Sequence, residues 1–135
     1  MDTILIALEP GTLSAEQLAQ VRETAAEGAD VMVTRDVDEI GTVIDRIEVA
    51  AGWFPAQLLP SAPNLRWYQQ WSAGADWLLG HPKAAEADFI LTTTSGIHAV
   101  PITEHVFALL LAFARELRGA LRAQDRHEWI PQGDH

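Results

Sequence analysis

Thr3-Ile4-Leu5-Ile6-Ala7-Leu8 is an unbroken apolar run of strand length, and Glu9-Pro10-Gly11 ends it. A run without polar alternation suits a strand buried on both faces, as in the middle of a parallel sheet. The next residues support that reading. Ser14-Ala15-Glu16-Gln17 has the form of a capping box, in which a serine hydroxyl and a glutamine side chain satisfy free backbone amides at a helix start. Leu18, Val21 and Ala25 then follow at helical spacing.

The alternation continues along the chain. Asp30 to Thr34 reads as a second strand, and Asp36 or Asp38 can cap a helix carrying Ile40, Val43 and Ile44 on one side. Ile47 to Ala51 reads as a third strand, Pro55 to Leu59 as a short helix with proline in its first turn, and Leu65 to Trp71 and Phe89 to Thr94 as two more strands. Strand and helix in turn predict an α/β domain over residues 1–100, a parallel sheet with helices on both faces joined by right-handed crossovers.

After Pro101 the pattern changes. One long helix is expected from Thr103 to about Trp129, within residues 101–129, followed by a linker over 130–135. Its first half, from Val106 to Ala114, is apolar nearly all round, and charge returns from Arg115 onward. Such surface exceeds what a five-strand domain can cover, so part of it is expected to meet another domain or subunit.

Composition excludes several classes of function. The formal charge is −10 and Lys83 is the only lysine, a field that repels phosphate backbones and anionic headgroups. There is no cysteine, hence no disulfide, thiolate zinc site or thiol nucleophile. The start Met1-Asp2-Thr3 lacks the positive region of a secretory leader, and the apolar run 106–114 is far short of the roughly 18 residues that span a bilayer. A cytoplasmic domain without nucleic-acid or membrane partners is expected.

Two stretches could carry chemistry. Trp71-Ser72-Ala73-Gly74-Ala75-Asp76 directly follows a strand, where open α/β sheets bind ligands, and small residues there let backbone amides approach an anion. The same residues also suit an ordinary tight turn with Asp76 capping a short helix. Thr92-Thr93-Thr94-Ser95-Gly96-Ile97-His98 and Thr103-Glu104-His105 cluster hydroxyls at a strand end and at a helix start, with Thr103 as a good N-cap. Trp53, just past the third strand, is either a core aromatic or a crevice wall. His98, Glu104 and His105 lack the spacing of a helical zinc site, so no metal ligands are assigned. No catalytic residue is assigned either: no hydrolytic triad spacing and no glycine-rich phosphate loop is present.

Together, Pro63-Asn64-Leu65-Arg66-Trp67 through the Gly74 turn, then Leu91 to His98, then Pro101 to Leu111, resemble the D-isomer-specific 2-hydroxyacid dehydrogenases. The resemblance implies a flavodoxin-like substrate domain and a long crossover helix, followed in the family by a Rossmann domain. It implies that the amides of Ala73 and Gly74 bind the carboxylate of a small 2-keto or 2-hydroxy acid, that Trp53 lines the cleft, and that Thr103 lies near NAD or NADP. It also implies a homodimer through the long helix. The family's nucleotide fingerprint and its catalytic arginine, glutamate and histidine have no counterpart here. The chain is therefore expected to be the inactive substrate-side part of an NAD(P)-dependent oxidoreductase, binding no cofactor tightly alone. The alternatives are a stand-alone small-acid-binding or regulatory module and, third, a receiver-like domain, which would need an acidic cluster that the third strand does not provide.

Overall fold

The computed structural model describes residues 2–129 and 131. Five strands, β1 (Thr3–Ala7), β2 (Asp30–Val33), β3 (Ile47–Gly52), β4 (Trp67–Gln70) and β5 (Ile90–Thr92), form one sheet, all parallel, in the order β2-β1-β3-β4-β5. This is the doubly wound order of flavodoxin-like folds, in which the chain reverses its direction of growth between β1 and β3. The expected α/β class is thus present, with four strands a residue or more shorter than expected and β3 one residue longer.

Register explains which face became the core. Met32, Leu5, Ala50, Tyr68 and Leu91 stand side by side across all five strands. That face packs against α2 (Val37–Val43), through Ile40 and Val43, and against Leu59 and Ala84, the latter from the four-residue α3 (Pro82–Ala85). The neighbouring row, Ile4, Val49, Trp67 and Ile90, points the other way. There a groove is lined by those first three residues together with Val21 and Ala25 of α1 (Ala15–Thr24) and its C-terminal end.

Local chemistry starts the helices as expected. In α1 the amide of Gln17 donates to Ser14 Oγ at 3.2 Å, and the amide of Ser14 donates to Gln17 Oε1 at 2.8 Å. Asp36, not Asp38, caps α2, its Oδ1 accepting from the amides of Asp38 and Glu39 at 2.9 Å each. The short helix expected after Pro55 is a 3₁₀ segment, Ala56–Ser61, and a second one spans Asp76–Gly80. Asp76 does not cap it; Ala75 holds that position.

Contacts divide the chain into two compact units, Met1–Ser95 and Gly96–His135. In the second unit, the expected single helix is two helices, α4 (Ala99–Ala114) and α5 (Leu117–Asp125). Glu116 takes a left-handed conformation, φ 49°, at the break. α4 starts before Pro101, which occupies the first turn, where its missing N–H leaves no bond unmade. Thr103 is therefore not the N-cap: it lies one turn inside the helix, and its hydroxyl donates to the carbonyl of Ala99 at 2.7 Å. Glu104 lies beyond the first turn for the same reason. No residue of α4 is buried, and Phe113 is 82% exposed. Most of the 130–135 segment, read as a linker, lies outside the described residues.

Candidate functional site

β3, β4 and β5 end along one edge of the sheet, and the chain leaving β3 and β4 is held there by side chains of β4 itself. Tyr68, third from that edge on β4 and 3% exposed, donates its hydroxyl to the carbonyl of Gly52 at 3.0 Å and accepts from the amide of Phe54 at 3.2 Å. One phenol thereby fixes the exit of β3 on both sides of Trp53. Burial pushes the Tyr68 hydroxyl above the ordinary value of 10.0, and the hydrogen bond from Phe54 partly opposes this. Phe54, Trp77 and Phe89 surround its ring with centroids 5.8, 6.3 and 6.5 Å away.

Gln70, the last residue of β4, faces the same way as Tyr68 and is 2% exposed. Its Oε1 accepts from the indole N–H of Trp77 at 2.5 Å. Its Nε2 faces the glycine turn, donating to the carbonyls of Ser72 at 3.3 Å and Gly74 at 2.5 Å, and contacting Ser72 Oγ. The remaining carbonyl of the turn, on Ala73, accepts from Ser95 Oγ at 2.8 Å, and the carbonyl of Ser72 accepts also from the amide of Thr94 at 3.2 Å. The two stretches singled out from the sequence therefore meet: the hydroxyl-rich exit of β5 braces the glycine turn of β4.

Three carbonyls in a row are thus occupied, those of Ser72 and Gly74 by buried Gln70 and that of Ala73 by Ser95. In a trans peptide the N–H of the following residue points opposite to the carbonyl, so the amides of Ala73, Gly74 and Ala75 point away from these braces. Ala73, Gly74 and Ala75 are exposed, and among the described residues no acceptor meets their amides. Free backbone amides of this kind can donate to a carboxylate or phosphate. Gly74 needs no unusual torsion. Its lack of a side chain matters for space, since a Cβ there would lie 2.7 Å from Asp76 Oδ1.

Beside the turn is a cleft of about 250 Å³ lined by Trp53, Phe54, Ala56, Tyr68, Gln70, Ser72 and Trp77. Trp53 is 48% exposed, so it is a wall of this cleft and not a core aromatic. Ala73 and Gly74 continue the chain from Ser72 at its rim. Thr103 belongs to the second unit. Sequence reasoning missed Tyr68, Gln70 and Ser95 as supports; the available signal was that Tyr68 and Gln70 share the strand parity of the core. Among the described residues no three His, Asp or Glu side chains come together as metal ligands, and no helix is long and apolar enough to cross a membrane.

No protein-family profile matches the chain, and no curated protein does. Solved structures share its fold. A D-isomer specific 2-hydroxyacid dehydrogenase family protein from Aeromonas salmonicida superimposes with a TM-score of 0.69 at 21% identity, covering 99% of this chain and 42% of that one. A probable 2-hydroxyacid dehydrogenase from Rhizobium etli, in complex with NADP, HEPES and L(+)-tartaric acid, gives 0.64 at 21% identity, covering 99% of this chain and 41% of its own. An NADPH-dependent glyoxylate/hydroxypyruvate reductase from Sinorhizobium meliloti, in complex with NADP and sulfate, gives 0.64 at 19%, covering 100% and 42%. The fold is the one found in these proteins, and the chain spans about two fifths of their length.

Proposed function

We propose that this chain forms the substrate-side part of an NAD(P)-dependent oxidoreductase of the D-isomer-specific 2-hydroxyacid dehydrogenase family. In this reading the amides of Ala73 and Gly74 receive the carboxylate of a small 2-keto or 2-hydroxy acid, Trp53 walls the cleft, and Thr103 lies near the cofactor. The observation that carries it is the run of exposed, acceptor-free amides at the exit of β4, with the carbonyls of Ser72, Ala73 and Gly74 each already bonded within the protein. Such an array is worth most to an anion because its dipoles are already oriented before binding.

The residues present do not fit the nicotinamide cofactor's pyrophosphate. At the exit of β1, Pro10 has no N–H, Glu9 brings a carboxylate, and the amides of Ser14 and Gln17 are already committed to the capping box. A bound cofactor would supply hydride chemistry, but the exit of β1 would not hold its phosphates. We assign no proton-transfer residue, and neither His98 nor His105 is given that role.

The test is an amide-resolved NMR titration of the chain with oxamate, an unreactive keto-acid analogue. Saturable shifts are expected at Ala73, Gly74 and Ala75, with NADP giving none at micromolar concentration. Absence of shifts in the turn at tens of millimolar oxamate, or micromolar NADP affinity by calorimetry, would overturn the reading.

The same reading pairs α4 with a second copy. Val106, Leu110 and Phe113 are 47%, 58% and 82% exposed, and full burial of an exposed side chain of this size contributes roughly 1.5–3 kcal/mol, of which Val106 and Leu110 have about half left to gain. Sedimentation is expected to show a dimer that Leu110→Asp with Phe113→Asp converts to monomer. A wild-type chain that stays monomeric at the highest concentration reached removes this part.

A further inference from the structure

The geometry points to Gln70 as the positioning residue of the carboxylate turn, with Trp77 as the residue that sets its direction. This inference rests on the reading of the turn as an acid-binding element. A glutamine amide has one accepting and one donating end, and it can present either one by rotation. Indole N–H is a donor only, so the 2.5 Å bond from Trp77 obliges Gln70 to turn Oε1 toward it. Nε2 must then face the turn, where it meets the carbonyls of Ser72 and Gly74. Those carbonyls are drawn inward, and peptide planarity sends the amides of Ala73 and Ala75 outward. Reversed, the glutamine oxygen would repel both carbonyls and favour a flip of these peptides, which would replace two anion-attracting donors with two acceptors. The polarity of the surface is thus written by a buried side chain at the back of the cleft.

Burial strengthens the device. At 2% exposure Gln70 exchanges few of its bonds with water, so the turn is ordered before any ligand arrives. Ser95 holds the middle carbonyl, that of Ala73, at 2.8 Å.

Four chains decide the matter: wild type, Gln70→Met (same length, no donor), Trp77→Phe (glutamine kept, its lock removed) and Ser95→Ala. Each is titrated with oxamate, and backbone torsions of residues 72–75 are taken from chemical shifts without ligand. Gln70→Met is expected to weaken oxamate at least tenfold and Trp77→Phe three- to tenfold. Both should change the torsions of 72–75, while the amide shifts of β1 and β3 stay native; Ser95→Ala should give a smaller loss. Unchanged torsions at 72–75 in a folded Gln70→Met chain overturn the inference, as does oxamate affinity within twofold of wild type. If Gln70→Met fails to fold, Trp77→Phe decides alone by the same two readings. Wild type that binds no oxamate counts against the proposed function, and the ligand-free torsions still judge the role of Gln70.

Discussion

Gly52→Ala is expected to lower the stability of the first unit by on the order of 3 kcal/mol, enough to remove much of the margin of a small domain. Gly52 ends β3 at φ +100°, a conformation in which an L side chain is strained by about 1–2 kcal/mol. Space is the larger problem. A Cβ there would lie 2.8 Å from the carbonyl oxygen of Ala7 and 3.3 Å from its carbon. That carbonyl cannot retreat, because it accepts from the amide of Trp53 at 3.1 Å where β1 and β3 finish together. With a urea slope of about 1.5 kcal/mol per molar, the unfolding midpoint should fall by roughly 2 M. Gly41→Ala is the control. Gly41 lies inside α2 with nothing near its missing Cβ, and alanine there should stabilise by about 0.5–1 kcal/mol. Equal midpoints for the two variants would refute the account of Gly52.

Tyr68→Phe is expected to cost about 2–3 kcal/mol, since it strands the carbonyl of Gly52 and the amide of Phe54 beneath the aromatic cluster. The hydroxyl also gives stability a pH dependence whose sign is determined. Desolvation raises the folded-state pKa above 10.0, against the weaker opposing effect of Phe54, so the folded chain keeps its proton longer than the unfolded chain. Above pH 10 the unfolded state binds fewer protons, and stability must fall as pH rises. The contribution is complete below the ordinary tyrosine value and is lost as pH climbs through the raised one. Tyr68 is the only tyrosine, so phenolate absorbance reports it alone, and subtracting the Tyr68→Phe curve isolates its contribution to stability. Parallel stability-pH curves for the two chains, from about pH 9 upward, would contradict the assignment.

The fold was legible because burial on both faces leaves a signature in composition: Ile4, Leu5 and Ile6 have no polar partner in alternation, and Ser14 with Gln17 marks the turn into α1. The place of the glycine turn was legible as a run of small residues, Ser72 to Ala75, directly after a strand-like segment. Its support was not. Gln70 reads as one more polar residue at a strand end, and only the sheet register shows that it follows Tyr68 into the core face. The helix ends failed through two local effects. Pro101 looked like a residue before the helix, when first-turn positions tolerate it well. The break at Arg115 and Glu116 has no glycine or proline to announce it, only the onset of charge.

Of the five strands, the earliest to be synthesised is also an inner one. Thr3 pairs with Asp30 on one side and Ile47 on the other, so β1 leaves the ribosome with neither neighbour yet made. At about 5–20 residues per second, the 44 residues separating Thr3 from Ile47 keep its greasy edges waiting for roughly 2–9 s. During translation this run of isoleucine and leucine is a segment open to a chaperone, and with every strand pairing parallel no hairpin closes early to hide it.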